Sequence, residues 1–224
     1  LTTNIEVYSI DEAFLDFSDQ LYLYSSVEEI VTTVSNAITE AVELPHSIGA
    51  ATNKSLAKVA SEYNKPNGIC IIHPSQTKAF LKSLPIDQFC GIGKRMKLFL
   101  NQYNVYVCSE MQNIPISILS NRFGQIGRQI WWMCQGIDSR PLITTPKEQK
   151  SLSNSKVIPP KVRTPVLIRA YFMHITWKLA HRLRQKKLRA NHFVIQIRYY
   201  QKPKQVFEYH VGHSTNRFSD IKPL

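Results

Sequence analysis

The 224-residue sequence contains no apolar run near the ~20 residues that a helix needs to cross a bilayer, so no membrane-spanning helix is expected. Cysteine is scarce and poorly spaced for metal. Cys70, Cys90, Cys108 and Cys134 stand roughly twenty residues apart, with no CxxC pair and no histidine at ligand spacing, which argues against a zinc module. Free thiols in a reducing cytoplasm are the simplest setting. The seven histidines are scattered; His210 and His213, three apart on an expected strand, would not share a face, and all seven read as structural or surface residues. The start, Leu1-Thr2-Thr3-Asn4-Ile5, has no initiator Met, no basic region and no apolar signal core, and reads as a chain cut at its front.

Acidic residues are the other shortage, and it is local. Residues 1–83 carry 10 Asp/Glu against 5 Lys/Arg, whereas residues 84–224 carry 6 against 23. From 151 onward the balance is 15 basic to 2 acidic. Such a split suits a polyanion lying across the second half with its reactive part over the first. With 43% hydrophobic and 20% charged residues, the composition is that of a globular chain able to build cores.

What is present centres on Val7-Tyr8-Ser9-Ile10-Asp11-Glu12-Ala13-Phe14-Leu15-Asp16-Phe17. Two adjacent carboxylates sit between runs that read as β-strand, although strand interiors are depleted in Asp and Glu. Neighbouring strand side chains point to opposite faces, so Asp11 and Glu12 reach one object together only if the chain bends between the strands. Two hard oxygen ligands on a tight turn suit Mg²⁺, and an exposed acidic turn is the plainer alternative.

Ser25-Ser26-Val27-Glu28-Glu29 offers two overlapping capping boxes, followed by Ile30, Val31, Val34, Ala37, Ile38, Ala41 and Val42 at helical spacing. The next strand, around His46–Ala50, is expected to return beside the hairpin in a βαβ-like layer. A helix capped by Thr52 or Asn53 then buries Leu56, Val59, Ala60 and Tyr63, leaving Lys54, Lys58 and Glu62 on another face as a solvated row. Lys65, fixed at the helix exit by Pro66-Asn67-Gly68, is placed to meet a phosphate as a point charge.

Beyond a short strand at 69–72 and a helix over about 75–83, Pro85 marks a boundary. Gly91-Ile92-Gly93 falls between two short helical patterns, as in a helix-hairpin-helix, where backbone N–H groups approach a DNA phosphate and Lys94, Arg95 and Lys97 add charge; an ordinary interhelical turn is the alternative. A further helical element spans 119–132, whose Trp131-Trp132 pair is expected to pack a small core. Residues 142–150 read as a linker. The remainder predicts a strand near 151–156, then a helix capped by Thr164 with Pro165 at its first turn and a buried stripe of Val166, Ala170, Met173, Trp177, Ala180 and Leu183. Strands near 193–200 and 206–211 follow. Arg198, Lys202 and Lys204 around their connection are candidate phosphate contacts. The module ends at Leu224 without a clear final strand.

These pieces, in this order, resemble the Y-family translesion DNA polymerases of the DinB/UmuC type. Tyr8 to Asp16 looks like the palm motif with two catalytic carboxylates. Ser47-Ile48-Gly49, Asn53-Lys54, Leu56-Ala57-Lys58 and Lys65-Pro66-Asn67-Gly68 look like the next palm block. Gly91-Ile92-Gly93 and Phe123-Gly124 to Arg140-Pro141 look like the thumb, and the basic C-terminal module is similar to the little finger. The implied fold class is α+β: a partial α/β palm layer (1–83), a small helix-hairpin-helix thumb (84–141), a linker (142–150) and an α/β little-finger-like module (151–224).

The resemblance implies transfer of a nucleotidyl group from a dNTP to a primer 3′-OH on primer-template DNA, assisted by two Mg²⁺ ions. Asp11 would bridge the metals, Glu12 would bind the one at the primer end, and Lys65 would hold the triphosphate. Gly91 and Gly93 would hold the DNA backbone. A sliding clamp or accessory subunits are further implied partners, although no C-terminal clamp peptide is visible. The family's first metal-binding carboxylate, its fingers and its steric gate lie upstream of the palm motif, where only six residues precede Val7. Two classes of function follow: a translesion polymerase portion that is inactive alone, or a non-catalytic DNA-binding remnant. Within the thumb, Asn104 stands where Gly is usual and Cys108 where Thr is usual; Asn tolerates the left-handed region, so the first change is mild.

Overall fold

In a computed structural model, which describes residues 1–145 and 149–221, the opening stretch folds as the hairpin that its composition predicts. β1 (Ile5–Val7) and β2 (Ala13–Leu15) run antiparallel with Glu6 opposite Phe14. The amides of Tyr8 and Ser9 both donate to the Glu12 carbonyl, at 2.9 and 3.1 Å, and close the bend. The strand alternation places the acid inside: Glu6 is 7% exposed, whereas Val7 and Ile10 face out. A buried carboxylate needs a partner, and the second helix supplies one.

α1 (Val27–Val42) starts at Ser26, whose hydroxyl accepts from Glu29 N at 3.2 Å. The Glu29 carboxylate reaches one residue further back, to the amide and hydroxyl of Ser25 (2.7 and 2.6 Å). Ile30, Val31 and Val34 are buried, but the expected stripe surfaces at its far end, where Ala41 and Val42 are exposed.

β3 (Ile48–Ala50) does not return beside the hairpin. It pairs in parallel with β4 (Ile69–Ile71), Gly49 opposite Cys70, through the crossover helix α2 (Lys54–Tyr63). Parallel strands require such a crossover, and these three-residue strands are too short to announce their partner by pattern. Helix and strand touch closely: a Cβ on Gly49 would lie 2.1 Å from the Ala57 carbonyl oxygen. Asn53 is the cap, its Oδ1 accepting from Leu56 N at 3.0 Å. Leu56, Val59 and Ala60 are buried as predicted, whereas Tyr63 is exposed at the rim against Phe80 (ring centroids 5.1 Å apart).

α3 (Thr77–Ser83) leads past Pro85 to a single 3₁₀ turn at Ile86–Gln88, shorter than the helix expected there. α4 (Lys94–Asn101) follows the Gly91-Ile92-Gly93 loop, and Asn104 beyond it takes φ 58°, the left-handed conformation that Asn tolerates. α5 (Ile116–Met133) kinks at Gly124. One core joins Leu56 and Val59 of α2 to Phe89, Leu100, Leu119 and Cys134, so apolar packing runs unbroken across Pro85. Trp131 packs against this core and donates its indole N–H to the Ile114 carbonyl (2.9 Å), while Trp132 stays exposed.

The chain divides into two compact units, Leu1–Pro146 and Lys147–Leu224. Pro146 and Lys147 of the expected linker lie outside the described residues. In the second unit, residues 151–156 take no strand partner among the described residues, contrary to expectation. Side chains hold them to α6 (Pro165–Gln185) instead: Arg182 donates to the Ser153 carbonyl (2.6 Å) and Asn154 to that of Ile175 (3.4 Å). α6 starts as predicted, Thr164 Oγ1 accepting from Leu167 N at 3.4 Å with Pro165 in the first turn. Its buried face is Thr176, Ala180 and Leu183, while Val166, Ala170 and Trp177 of the expected stripe are exposed. A second apolar line through Ile168, Phe172, Ile175 and Leu179 makes the periodicity ambiguous. β5 (Ala190–Ile197) and β6 (Gln205–Thr215) form an antiparallel hairpin, Phe193 opposite Tyr209, longer on its β6 side than the sequence suggests. A short α7 (Phe218–Ile221), unanticipated, closes the unit with Ile221 in its small core.

Candidate functional site

The bend between β1 and β2 brings the two carboxylates together. Asp11 Oδ1 and Glu12 Oε2 lie 2.7 and 3.2 Å from the single Ser9 hydroxyl, a convergence that a straight strand forbids. Glu12 presents its other oxygen to Lys58 of α2, which forms an ion pair with it. The same ammonium lies 2.8 Å from Glu62 Oε1, and Lys65 Nζ lies 2.8 Å from that same Glu62 oxygen. Asp11, Ser9, Glu12, Lys58, Glu62 and Lys65 thus form one continuous polar chain. The lysines that the helical spacing assigns to a solvated face, Lys54 and Lys58, face the hairpin instead.

Lys54 meets the inward acid: its ammonium is 2.5 Å from Glu6 Oε2 and 5.1 Å from the centre of the Phe14 ring. Glu6 Oε2 also accepts from Ile143 N at 2.7 Å, tying the segment after α5 back to β1. Burial opposes ionisation of Glu6, but the Lys54 and Ile143 hydrogen bonds outweigh it and lower its pKa. Partial burial likewise works against the charge on Lys58, yet Glu12 and Glu62 raise its pKa. Glu62 is lowered by its hydrogen bonds to Lys58 and Lys65.

The first turn of α2 is pinned from the same direction. Asn53 Nδ2 donates to the Gly136 carbonyl (2.9 Å), and Ser55 N donates to Asp138 Oδ2 (3.2 Å). Asp138, lowered by Arg140 despite its own burial, takes that guanidinium through two 2.7 Å hydrogen bonds.

Two hard carboxylates converging on one hydroxyl fit a single Mg²⁺ ion, which takes one or two protein carboxylates and fills its shell with phosphate and water. A second ion finds less. Among the described residues no group of three or more His, Cys, Asp or Glu side chains is placed to hold a metal.

The glycine loop makes a second locus. Gly91 adopts φ +92°, a conformation that favours glycine, whereas Gly93 has an ordinary backbone and open space where a Cβ would be. Nothing in the fold therefore requires Gly93 to lack a side chain. It precedes α4, whose first turn has no side-chain cap, and Lys94 and Arg95 there are exposed. Lys97 turns away to Asp87 (2.5 Å). Lys94, Arg95 and Arg122 border a groove of about 890 Å³ floored by Phe99 and Phe123, whose rings meet edge to face at 5.2 Å. Arg122 carries no motif that would single it out in the sequence.

In the second unit, Arg198, Lys202 and Lys204 are all exposed around the β5–β6 connection. Ile197 pairs with Gln205, so Arg198 and Lys204 are the next positions beyond the last paired residues.

Three family models match segments of the chain. Residues 1–62 match the impB/mucB/samB family, residues 87–138 the thumb domain of DNA polymerase iota, and residues 149–222 the impB/mucB/samB C-terminal domain. The chain belongs to the Y-family of DNA polymerases. Its relatives include proteins named DNA polymerase IV. That of Mannheimia succiniciproducens is 40% identical over 62% of this chain and 39% of its own length. That of Legionella pneumophila is 35% identical over 70% of this chain and 44% of its own length. That of Shigella flexneri is 39% identical over 62% of this chain and 40% of its own length. The chain therefore spans less than half the length of these relatives.

Proposed function

We propose that these residues are the palm-to-little-finger portion of an error-prone translesion DNA polymerase, with 1–83 as partial palm, 84–141 as thumb and 151–224 as little finger. The observation that carries this reading is the convergence of Asp11 and Glu12 at the hairpin bend, with Lys65 at the far end of the same polar chain.

Asp11 and Glu12 would hold the catalytic Mg²⁺. When bound, that metal would stabilise charge on the attacking primer 3′-oxygen and on the leaving pyrophosphate. Lys65, half exposed, would bind the triphosphate of the incoming dNTP as a point charge. The open space at Gly93 would let a DNA phosphate approach the free N–H groups of the first α4 turn, flanked by Lys94 and Arg95. Gly91 would hold the turn that presents them. Arg198, Lys202 and Lys204 would grip the duplex through its phosphates without reading sequence. The expected setting is the cytoplasm.

A second reading, a damaged-DNA-binding protein without catalysis, is supported by the excess of basic over acidic residues from 151 onward and by the exposed Arg198, Lys202 and Lys204. Primer extension with Mg²⁺ and dNTPs on a lesion-containing template, by this chain in a chimera with the remainder of a DNA polymerase IV relative, separates the two. Incorporation abolished by Asp11→Ala supports the polymerase. Salt-sensitive duplex binding without incorporation supports the second reading, and DNA cleavage would point to a nuclease instead.

A further inference from the structure

The Lys58 ammonium stands where an incoming cation would compete for Glu12. It is bonded on one side to Glu12 and on the other to Glu62, whose Oε1 it shares with Lys65. Its side chain is 18% exposed, so it is neither free in solvent nor sealed away. Leaving Glu12 does not strand this charge, because Glu62 is already within hydrogen-bond distance. Glu62, in turn, divides itself between two lysines as long as Lys65 has nothing else to hold.

We propose that Lys58 is the resident counter-ion of Glu12, and that a divalent cation at Asp11 and Glu12 displaces it onto Glu62. This inference rests on the metal-site reading above and adds a coupling to it. Once Lys65 turns to a phosphate, Glu62 is released to take Lys58 entirely, and Glu12 is released to the cation. Cation and phosphate therefore favour each other's binding through two side chains, Lys58 and Glu62, that touch neither the reacting phosphorus nor the base, and by linkage the effect is reciprocal. Lys58 and Glu62 act through Glu12 and Lys65, and are positioning residues.

The test is Mn²⁺ binding by the full 224-residue chain, followed by electron paramagnetic resonance, with circular dichroism to check folding. Removing the competitor in Lys58→Met is expected to tighten Mn²⁺ binding about fivefold, the scale of a partly exposed ion pair. Glu62→Gln is expected to weaken binding about threefold, because Lys58 then has only Glu12. Lys58→Arg retains the charge and is expected to bind Mn²⁺ as the wild type does, which a purely structural role for Lys58 would not distinguish from Met. The double variant Lys58→Met/Glu62→Gln should bind like Lys58→Met alone. Unchanged or weaker binding in a folded Lys58→Met, with Asp11→Asn still abolishing it, would overturn the displacement and leave the metal site standing. Equal binding by wild type and Asp11→Asn would overturn both.

Discussion

The two units solve the problem of cohesion differently. In the first, seventeen buried residues from α2 to the end of α5 form one core that includes Phe89, Leu100 and Leu119. In the second, among the described residues, the core is Ala180, Leu183 and Ile221, and the β5–β6 hairpin leaves Phe207, Tyr209 and Val194 about half exposed. Charge follows the opposite gradient, from an acidic first 83 residues to 15 basic against 2 acidic from residue 151. The difference teaches a division of labour: the first unit uses packing to hold a few polar groups in register, and the second gives up packing for a cationic surface.

Core truncation should expose that contrast most strongly. Phe89→Ala is expected to cost the first unit about 4 kcal/mol, and Leu183→Ala about 2 kcal/mol in the second, measured by urea unfolding followed with probes in each unit. Equal losses would break the comparison. Next is the buried ion pair: Lys54→Met is expected to destabilise the first unit by about 2 kcal/mol. Because the folded-state pKa of Glu6 lies below its ordinary 4.5, its contribution is present in full above that value and lost as pH falls through the lowered one. Glu6→Gln should therefore flatten the acid limb of stability, and an unaltered limb would assign it to other carboxylates.

Binding should show the reverse order of dependence. Lys202→Gln/Lys204→Gln is expected to weaken duplex binding about tenfold and to reduce the slope of log Kd against log salt by about 1.8. An unchanged slope would remove both from the contact surface. Gly93→Ala should fold normally, given the space around it, yet weaken duplex binding several-fold; normal binding would show that no phosphate comes that close. The smallest effects are the caps: Ser26→Ala and Thr164→Ala should each cost about 1 kcal/mol in their own units by thermal unfolding.

Much of this was legible where chemistry is local. The Asp11-Glu12 bend, the caps at Ser26, Asn53 and Thr164, the left-handed Asn104 and the β5–β6 hairpin each rest on a few neighbouring residues. The pairing of β3 with β4 was not legible, because three-residue strands carry no periodic signature and their partner is chosen by the α2 crossover. α6 has two apolar lines, and the packing of Leu152, Phe193, Phe218 and Ile221 around Ala180 and Leu183 selects between them. For the site, Lys54, Lys58 and Glu62 were visible as one helix face. That this face looks onto the carboxylates instead of water depends on tertiary placement alone.

The ties at the first turn of α2, Asn53 to Gly136 and Ser55 to Asp138, have a mechanical consequence. They fasten the helix carrying Lys58 to the stretch that follows α5, while the shared core fastens it to the Gly91-Ile92-Gly93 loop. On the polymerase reading, the interval between the reacting end of the primer and the phosphate gripped by that loop is a property of one compact unit. On that reading the span between the two points would stay constant from one nucleotide to the next.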